Sequence, residues 1–535
     1  MRREGYQNRP NDSADGLWIG DTVGMIPLPR RGLHRHLLLP LIAACLLAGA
    51  MPVAADAAMP TGAASQSTLA TQIDALIAQP RFAAARWGIV VVSLDHGHAL
   101  YAHHADQLLQ PASTAKLFTA ALGLSVLGEN YRIPTRLLTS GPFVHGRLDG
   151  SLILQGLGDP TLGTANSADW AEQLAEQAAT RGLHLVRGNL IADDSYFTGP
   201  AHGSGWEVDD ILSSYAVPAS ALSVGENVVK VTVSPGSAPG RLARIQLEPA
   251  GADPVVISQL VTTAAGARNG INLYRAPGQD ALQAFGSIAA DATAQHFELA
   301  VPDPARLAGL QLREALKRHG IRVSGKLRVL HWPQSDVSLM ASSELLGEVW
   351  SPPLREILQR GLKRSQNLYL QNLLLTVGAR GPATGPGFSD TESRGIEALQ
   401  HLLGGAGIPP STVLLSEGSG LSRRDLVTPR ALVSMLVYLA GQPYAQTLRD
   451  ALPIAGVDGT LKERMRHTAA ENNVHAKTGS MSYVSSLAGY VTSASGERLA
   501  FAIMLNNYDR LEDAPRISSD VDAIAVLLAN YRGAP

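Results

Sequence analysis

Three short patterns in this 535-residue chain combine side chains that could carry out acyl transfer. The first is Ser113-Thr114-Ala115-Lys116, at the start of an apolar stretch that predicts a helix over residues 115–127. Serine and lysine three residues apart lie on one face of a helix. The apolar stretch also predicts that Lys116 is buried, and burial lowers the pKa of a lysine. A neutral lysine beside a serine hydroxyl can act as its general base.

The rarity of lysine draws attention to this pattern. Seven of the 44 basic residues are lysines, and only Lys116 has a serine three positions before it. Ser113 lies near the predicted helix start, where free backbone N–H groups favour developing negative charge. For this motif alone, a chance pairing of a serine with a surface lysine is the alternative.

The second pattern is Ser365-Gln366-Asn367, which falls in a helical stretch. A serine and an asparagine two positions apart, on a short loop or at a helix entry, could present a hydroxyl and an amide to a cleft. Capping of a helix by Ser365 is the alternative for this motif alone.

The third pattern is Lys477-Thr478-Gly479-Ser480, just before a predicted strand over residues 484–491. Glycine allows the backbone to approach a substrate closely, and the lysine and threonine beside it can bind a carboxylate. A strand edge with a solvated lysine is the alternative here.

Composition excludes several classes of function. The formal net charge of -2 argues against a general nucleic-acid-binding protein. The single cysteine, Cys45, cannot form an internal disulfide. The 15 histidines show no His-Glu-x-x-His spacing, so we expect no metal and no cofactor.

The N-terminal segment predicts export. Arg30, Arg31 and Arg35 precede an apolar run over residues 37–53, and small residues follow at 54–58. This order is typical of a secretory signal peptide, with the mature chain starting near Asp56 or Ala58. Met25 could be the true start. A retained membrane anchor and lipidation of Cys45 are the alternatives.

Hydrophobic patterning predicts how the elements that carry the motifs are arranged. A hairpin over residues 87–101 follows a helix over 68–77, and a second hairpin over 484–505 precedes a helix over 521–531. The two ends of the chain thus supply strands as if to one shared sheet. The middle, with short alternating runs at 228–233 and 243–247, reads as β-rich. The expected domains are 1–57 (extension and signal peptide), 58–157 with 332–535 (catalytic), and 158–331 (one or two inserted domains).

Taken together, the three motifs occur once each and in the order found in penicillin-binding proteins and serine β-lactamases. From about residue 70 to 532 the chain resembles the class C low-molecular-mass penicillin-binding proteins, the D-Ala-D-Ala carboxypeptidase/endopeptidase family of the penicillin-binding protein 4 type. Ser113 and Ser365 are 252 residues apart (365 − 113), which matches the family's large insertion. The segments 158–162, 193–197, 220–223 and 418–423 also resemble the family, while Glu417 stands where it often has aspartate.

The resemblance implies an α/β (α+β) transpeptidase fold, in which an antiparallel sheet is flanked by helices beside a helical subdomain and carries the β-rich insertion. It implies a periplasmic or cell-envelope serine hydrolase that acts on D-Ala-D-Ala peptides and cross-links of peptidoglycan. β-Lactam antibiotics would be covalent inhibitors. A homodimer or a peripheral membrane association is left open.

The resemblance also assigns roles to the motif residues. Ser113 is the nucleophile, Lys116 its base, and Ser365 a proton relay to the leaving amine. Asn367 orients the substrate amide and supports Lys116, and Lys477 lowers the pKa of Lys116. The substrate-binding residues implied are Thr478, Gly479, Ser480, Met481, Arg423 and Asp193.

Three of these assignments have ordinary alternatives. For Arg423 the alternative is a surface ion pair, for Asp193 it is the capping of a turn, and for Met481 it is packing at a strand edge. The competing functions are a serine β-lactamase and a non-catalytic peptidoglycan-binding protein. The long insertion argues against the first, and the three intact motifs argue against the second.

Overall fold

The computed structural model describes residues 61–252, 255–381, 387–509 and 516–533. The predicted signal peptide and Cys45 lie outside these residues. The helices are α1 (Thr61–Ile77), α2 (Lys116–Leu127), α3 (Trp170–Thr180), α4 (Pro304–Arg318), α5 (Val337–Ala341), α6 (Leu354–Lys363), α7 (Asn367–Arg380), α8 (Thr391–Gly405), α9 (Pro429–Ala440), α10 (Ala445–Ala451) and α11 (Ile517–Asn530).

The strands follow the alternating and apolar runs of the sequence. They are β1 (Arg86–Ser93), β2 (Ala99–His103), β3 (Pro134–Ser140), β4 (Phe143–Val144), β5 (Arg147–Leu148), β6 (Ser151–Gln155), β7 (Leu185–Val186), β8 (Leu190–Asp193), β9 (Val228–Ser234), β10 (Arg244–Glu248), β11 (Val255–Thr263), β12 (Gly270–Tyr274), β13 (Ala281–Ala289), β14 (Gln295–Ala300), β15 (Arg322–Val323), β16 (Leu327–Leu330), β17 (Glu344–Trp350), β18 (Val413–Leu414), β19 (Leu426–Val427), β20 (His475–Met481), β21 (Val484–Thr492) and β22 (Arg498–Asn506).

A five-stranded antiparallel sheet unites the two ends of the chain, with the order β2-β1-β22-β21-β20. Both predicted hairpins are present, and β1 pairs with β22 along its whole length, from Arg86 opposite Asn506 to Ser93 opposite Leu499. The prediction of one shared sheet is therefore confirmed.

Both faces of this sheet are buried, which explains the nearly continuous apolar strands. Along β22, Leu499, Phe501 and Ile503 pack into the core on the side of α1 and α11. The alternate residues Ala502 and Met504 pack into the core formed with the helices α2, α6, α7 and α9. Successive side chains of a strand point to opposite faces, so a strand covered on both sides is apolar at every position.

The helix α2 lies inside the second core, and this accounts for its apolar character on all sides. Leu117, Phe118 and Leu122 are fully buried. At Gly123 the helix approaches α7 so closely that a Cβ atom would lie 2.6 Å from Leu373 Cδ2. The packing leaves Lys116 as an ionisable side chain inside an apolar helix bundle.

The middle of the chain is β-rich, as the alternating runs indicated. Strands β9 and β10 coincide with the two predicted runs and pair antiparallel. They form one small sheet in the order β10-β9-β14, and β11-β13-β12 forms another. A third sheet has the order β15-β7-β5-β4 and joins strands of the middle to β4 and β5, which precede residue 158.

One further sheet crosses both expected domain boundaries. Its order is β16-β8-β6-β3-β17, so β6 pairs with β8 from the 158–331 segment, and β3 and β17 extend the same sheet. Leu137 and Leu346 share a hydrophobic core with Leu190. The expected division would separate the hydrogen-bonded strands β6 and β8 and would split the shared core, so packing groups these flanking strands with the β-rich material. The division into domains stays a prediction.

No helix in the described part of the chain is long and apolar enough to span a membrane.

Candidate active site

Ser113 and Lys116 lie at the junction of a short 3-10 turn (Ala112–Ala115) and α2. Lys116 is fully buried, and its Nζ donates to Ser113 Oγ at 2.8 Å. The same Nζ donates to Asn367 Oδ1 and to the Ser419 carbonyl oxygen, each at 2.6 Å. Lys116 therefore has three oxygen partners, and one of them is the predicted nucleophile.

The burial of Lys116 changes its acid–base chemistry. Loss of water lowers its pKa to about 7, because a buried ammonium loses hydration that protein groups only partly replace. The nearby carboxyl groups of Glu417 and Asp425 act in the opposite direction and raise this pKa. A large fraction of Lys116 is thus neutral near pH 7, which suits a general base.

Ser365 lies in the turn between α6 and α7 and has a left-handed backbone, with φ 57°. Its Oγ accepts a hydrogen bond from Lys477 Nζ at 2.8 Å. The N-cap residue of α7 is Gln366, so Ser365 does not cap this helix. Asn367 Nδ2 donates to the Tyr215 carbonyl oxygen at 2.7 Å, while its Oδ1 accepts from Lys116.

Lys477 and Thr478 lie on β20, at the end of the central sheet. Lys477 is fully buried, which excludes the solvated strand-edge alternative. Its Nζ donates to the Thr478 carbonyl oxygen at 2.8 Å as well as to Ser365. Burial, and then the positive charges of Lys116 and Arg464, lower the pKa of Lys477 well below its ordinary value.

Gly479 allows β20 to pack against the turn that carries Ser113. A Cβ atom at this position would lie 2.1 Å from Ser486 Oγ and 2.5 Å from the Pro111 carbonyl oxygen. Any other residue would push the strand away from the turn. The next residue, Ser480, is exposed.

Two of the remaining predicted residues lie at the end of β20. Arg423 Nη1 donates to the Ser482 carbonyl oxygen at 3.0 Å, and its Nε lies 3.4 Å from Glu207 Oε1. Met481 packs with Ala112, next to Ser113 in the chain. Both residues therefore border the three motifs, and their contact with substrate stays a prediction.

Asp193 lies elsewhere, at the end of β8 in the sheet that crosses the domain boundaries. Its Oδ1 accepts a hydrogen bond from the Ser195 backbone N–H at 2.9 Å, which is the turn-capping arrangement. Burial raises its pKa. A role in binding the peptide side chain stays a prediction.

Sequence reasoning missed a buried carboxyl pair beneath Lys116. Glu417 accepts hydrogen bonds from the backbone N–H groups of Ser419 at 2.7 Å and Leu421 at 2.9 Å. It thereby holds the loop whose Ser419 carbonyl oxygen contacts Lys116. Asp425 is also fully buried, and burial and its neighbour Glu417 raise its pKa well above the usual range. The family resemblance of residues 418–423 and the departure at Glu417 were the available signals.

Fold and site together define a peptidase that acts on D-alanyl peptides. The model of the D-Ala-D-Ala carboxypeptidase 3 (S13) family matches residues 69–531, and the chain belongs to that family. The D-alanyl-D-alanine carboxypeptidase of Actinomadura sp. (strain R39) is 37% identical over 507 residues, covering 92% of this chain and 90% of the relative. DacB of Haemophilus influenzae is 28% identical, covering 79% of this chain and 85% of its own.

Within this family the chain is of the penicillin-binding protein 4 type. The crystal structure of penicillin binding protein 4 (dacB) from Haemophilus influenzae matches it with a TM-score of 0.74 at 26% identity. The match covers 86% of this chain and 99% of that one. The predicted family and fold class are confirmed, and the carboxypeptidase class with them.

Proposed function

We propose that this D-Ala-D-Ala carboxypeptidase is a serine enzyme that forms an acyl-enzyme on Ser113, also hydrolyses D-alanyl cross-links, and is acylated by penicillins. The observation that carries the proposal is the contact of Lys116 with Ser113. The buried amine lies 2.8 Å from the hydroxyl, has a pKa lowered to about 7, and is held by Asn367 and the Ser419 carbonyl oxygen.

Acylation begins when neutral Lys116 accepts the proton of Ser113 Oγ as this oxygen attacks the D-alanyl carbonyl carbon. The negative charge that develops on the carbonyl oxygen is stabilised by the backbone N–H groups of Ser113 and Ser480. The C–N bond then breaks as the proton held by Lys116 is relayed through Ser365 to the departing amine, which leaves Lys116 neutral again. Water hydrolyses the resulting ester and regenerates Ser113.

Lys477 and Thr478 bind the terminal carboxylate of the substrate. An anion beside Lys477 favours its charged form and offsets the burial that lowers its pKa. A cross-link presents the same chemistry, because its D-alanyl carbonyl is also followed by a D-residue with a free carboxylate. One acylation step therefore serves both the carboxypeptidase and the endopeptidase reactions.

Penicillins fit the same site, because their ring presents a strained amide near a carboxylate. The penicillin binding protein 4 of Haemophilus influenzae has been solved in complex with a β-lactam, and that structure matches this chain with a TM-score of 0.68 at 25% identity. Export by the N-terminal signal peptide would place the enzyme in the periplasm or cell envelope, where peptidoglycan is found.

The test compares the wild type, Ser113→Ala and the control Ser495→Ala, which changes an exposed serine in the β21–β22 turn. Each protein is incubated with fluorescent penicillin, and the labelled peptide is identified by mass spectrometry. Activity is then assayed on a muropeptide ending in D-Ala-D-Ala and on a cross-linked dimer. We expect Ser113→Ala to lose the adduct and at least about 10⁴-fold in D-alanine release, and Ser495→Ala to retain both.

An adduct that survives Ser113→Ala would overturn the serine mechanism. Rapid penicillin turnover without peptide cleavage would favour the serine β-lactamase alternative. A dimer left intact while the muropeptide is cleaved would reject the endopeptidase part alone.

A further inference from the structure

A carboxylate from the β-rich middle region reaches the end of α6, just before the Ser365 turn. Glu226 Oε1 accepts a hydrogen bond from Arg364 Nη1 at 3.2 Å and lies 2.8 Å from Arg360 Nη2. The side chain of Glu226 is only 15% exposed, so water screens these charges less than on an open surface. The end of α6 is therefore fixed to residue 226.

The same carboxylate also contacts the start of α7, just after the Ser365 turn. Tyr369 Oη donates to Glu226 Oε1 at 2.9 Å, and Gln366 Nε2 donates to Oε2 at 3.4 Å. One side chain thus has partners on both helices that meet at Ser365.

The backbone around Glu226 is held in an unusual conformation. Gly225, Glu226 and Asn227 have successive φ angles of 58°, 59° and 57°, all left-handed. Such a run is unfavourable for L-residues and persists only where the surroundings enforce it. Asn227 is fully buried and supplies that constraint, because its Nδ2 donates to the Pro218 carbonyl oxygen at 2.8 Å and its Oδ1 accepts from Val224 N–H at 2.9 Å.

The turn that Glu226 braces is also strained. Ser365 has φ 57°, and Gln366, the N-cap of α7, makes no side-chain capping bond. Through Ser365 and Asn367 this turn contacts Lys477 and Lys116. A small shift of the turn would therefore change the contacts of both lysines at once.

We propose that Glu226 is a positioning residue for D-alanyl peptide cleavage. It acts through the ends of α6 and α7 and keeps Ser365 and Asn367 in register with Lys477 and Lys116. The inference rests on the proposed function, since it uses the roles given there to Ser365 and Asn367. The inserted region then contributes to the chemical step, in addition to any contribution to substrate binding.

The experiment replaces Glu226 with glutamine, which keeps the shape of the side chain and removes its charge. The matched control is Glu172→Gln, because Glu172 is also a glutamate of the middle region with an arginine partner, Arg318, and a second partner, His319, but these lie on or beside α4. We measure kcat and KM for D-alanine release and the midpoint of thermal unfolding. We expect Glu226→Gln to lower kcat by about tenfold with little change in KM, since misplaced catalytic groups slow the chemical step. The control should retain the wild-type kcat.

A second variant tests the same link on the other side. Arg364 is half exposed, so Arg364→Met is well tolerated by packing and should lower kcat by about threefold. In the Glu226→Gln/Arg364→Met double variant the two losses of kcat should not add, because both changes remove the same contact between residues 226 and 364. If Glu226→Gln does not fold, the kcat of Arg364→Met alone tests the inference, and an unchanged kcat in that variant would overturn it.

An unchanged kcat in Glu226→Gln would overturn the inference. A loss of kcat that accompanies a lowered unfolding midpoint and appears equally in Glu172→Gln would also overturn it. Failure of the proposed function would look different. In that case the wild type itself would form no penicillin adduct at Ser113. This result does not depend on how the rates of D-alanine release compare between the variants.

Discussion

The two lysines of the site are equally buried, yet their surroundings differ. Lys116 contacts Ser113, Asn367 and the Ser419 carbonyl oxygen, and the carboxyl groups of Glu417 and Asp425 oppose the effect of its burial. Its pKa is therefore lowered only to about 7.

Around Lys477, the neighbouring charges act in the same direction as burial. Its Nζ contacts Ser365 Oγ and the Thr478 carbonyl oxygen, and the positive charges of Lys116 and Arg464 lower its pKa further. An anionic substrate would supply the missing negative charge.

The difference teaches that burial alone does not define a catalytic lysine. The charges placed beside each amine decide whether it is poised to exchange a proton near neutral pH or to gain a charge when a carboxylate arrives. In the proposed mechanism Lys116 is the base and Lys477 binds the carboxylate, and three experiments test that division.

The largest effect is expected from matched lysine-to-arginine changes. Arginine stays protonated in proteins, so it can bind a carboxylate but cannot act as a base. Lys116→Arg should slow acylation by penicillin at least about 10³-fold, while Lys477→Arg should cost about tenfold. Stopped-flow fluorescence gives the rates, and thermal unfolding verifies that both variants fold. Equal losses in the two variants would remove the distinction between the lysines.

An intermediate effect is expected from pH. Lys116 must be neutral to accept the Ser113 proton, so the acylation rate should rise with pH through its pKa of about 7 and level off above it. Below that pKa the rate should fall by about tenfold per pH unit, because the neutral fraction falls by that factor. Second-order acylation constants for the wild type provide the profile. A rate independent of pH through this region would be incompatible with Lys116 as the base.

The smallest effect separates the two buried carboxyl groups. Both carboxyl groups raise the pKa of Lys116, and Glu417 does so more strongly than Asp425. Glu417→Gln should move the acid limb of the profile to lower pH by about one unit, since a carboxyl group that raises the pKa of Lys116 is lost. Asp425→Asn should move the limb in the same direction but by less, because Asp425 raises the pKa of Lys116 less than Glu417 does. An equal or larger shift in Asp425→Asn would contradict this ranking.

Much of the fold could be predicted because its signals are local. Strand alternation, the hairpin turn at residues 95–98 and the apolar helix after Ser113 follow from neighbouring residues. The position of the inserted region was harder to predict, since strands β3 and β17 lie outside the Gly/Pro/Asp-rich segment yet pair in its sheet. Pairing between distant strands leaves no mark on composition.

The site likewise combines features that could be predicted from neighbouring residues with features that could not. The three motifs and their order are linear features, and the sequence by itself determined them, together with the family. The left-handed turn at Ser365 was not foreseen, and Glu226 carried no signal, because its partners are brought to it by packing.

What only the tertiary structure decided is the chemical state of the motif residues. Lys116 meets Asn367 and Ser419, which are 251 and 303 residues away along the chain, and its pKa follows from the water they and the surrounding helices exclude. Residue identity fixes which groups can titrate. Desolvation and neighbouring charge fix where they titrate, and both are properties of the folded chain.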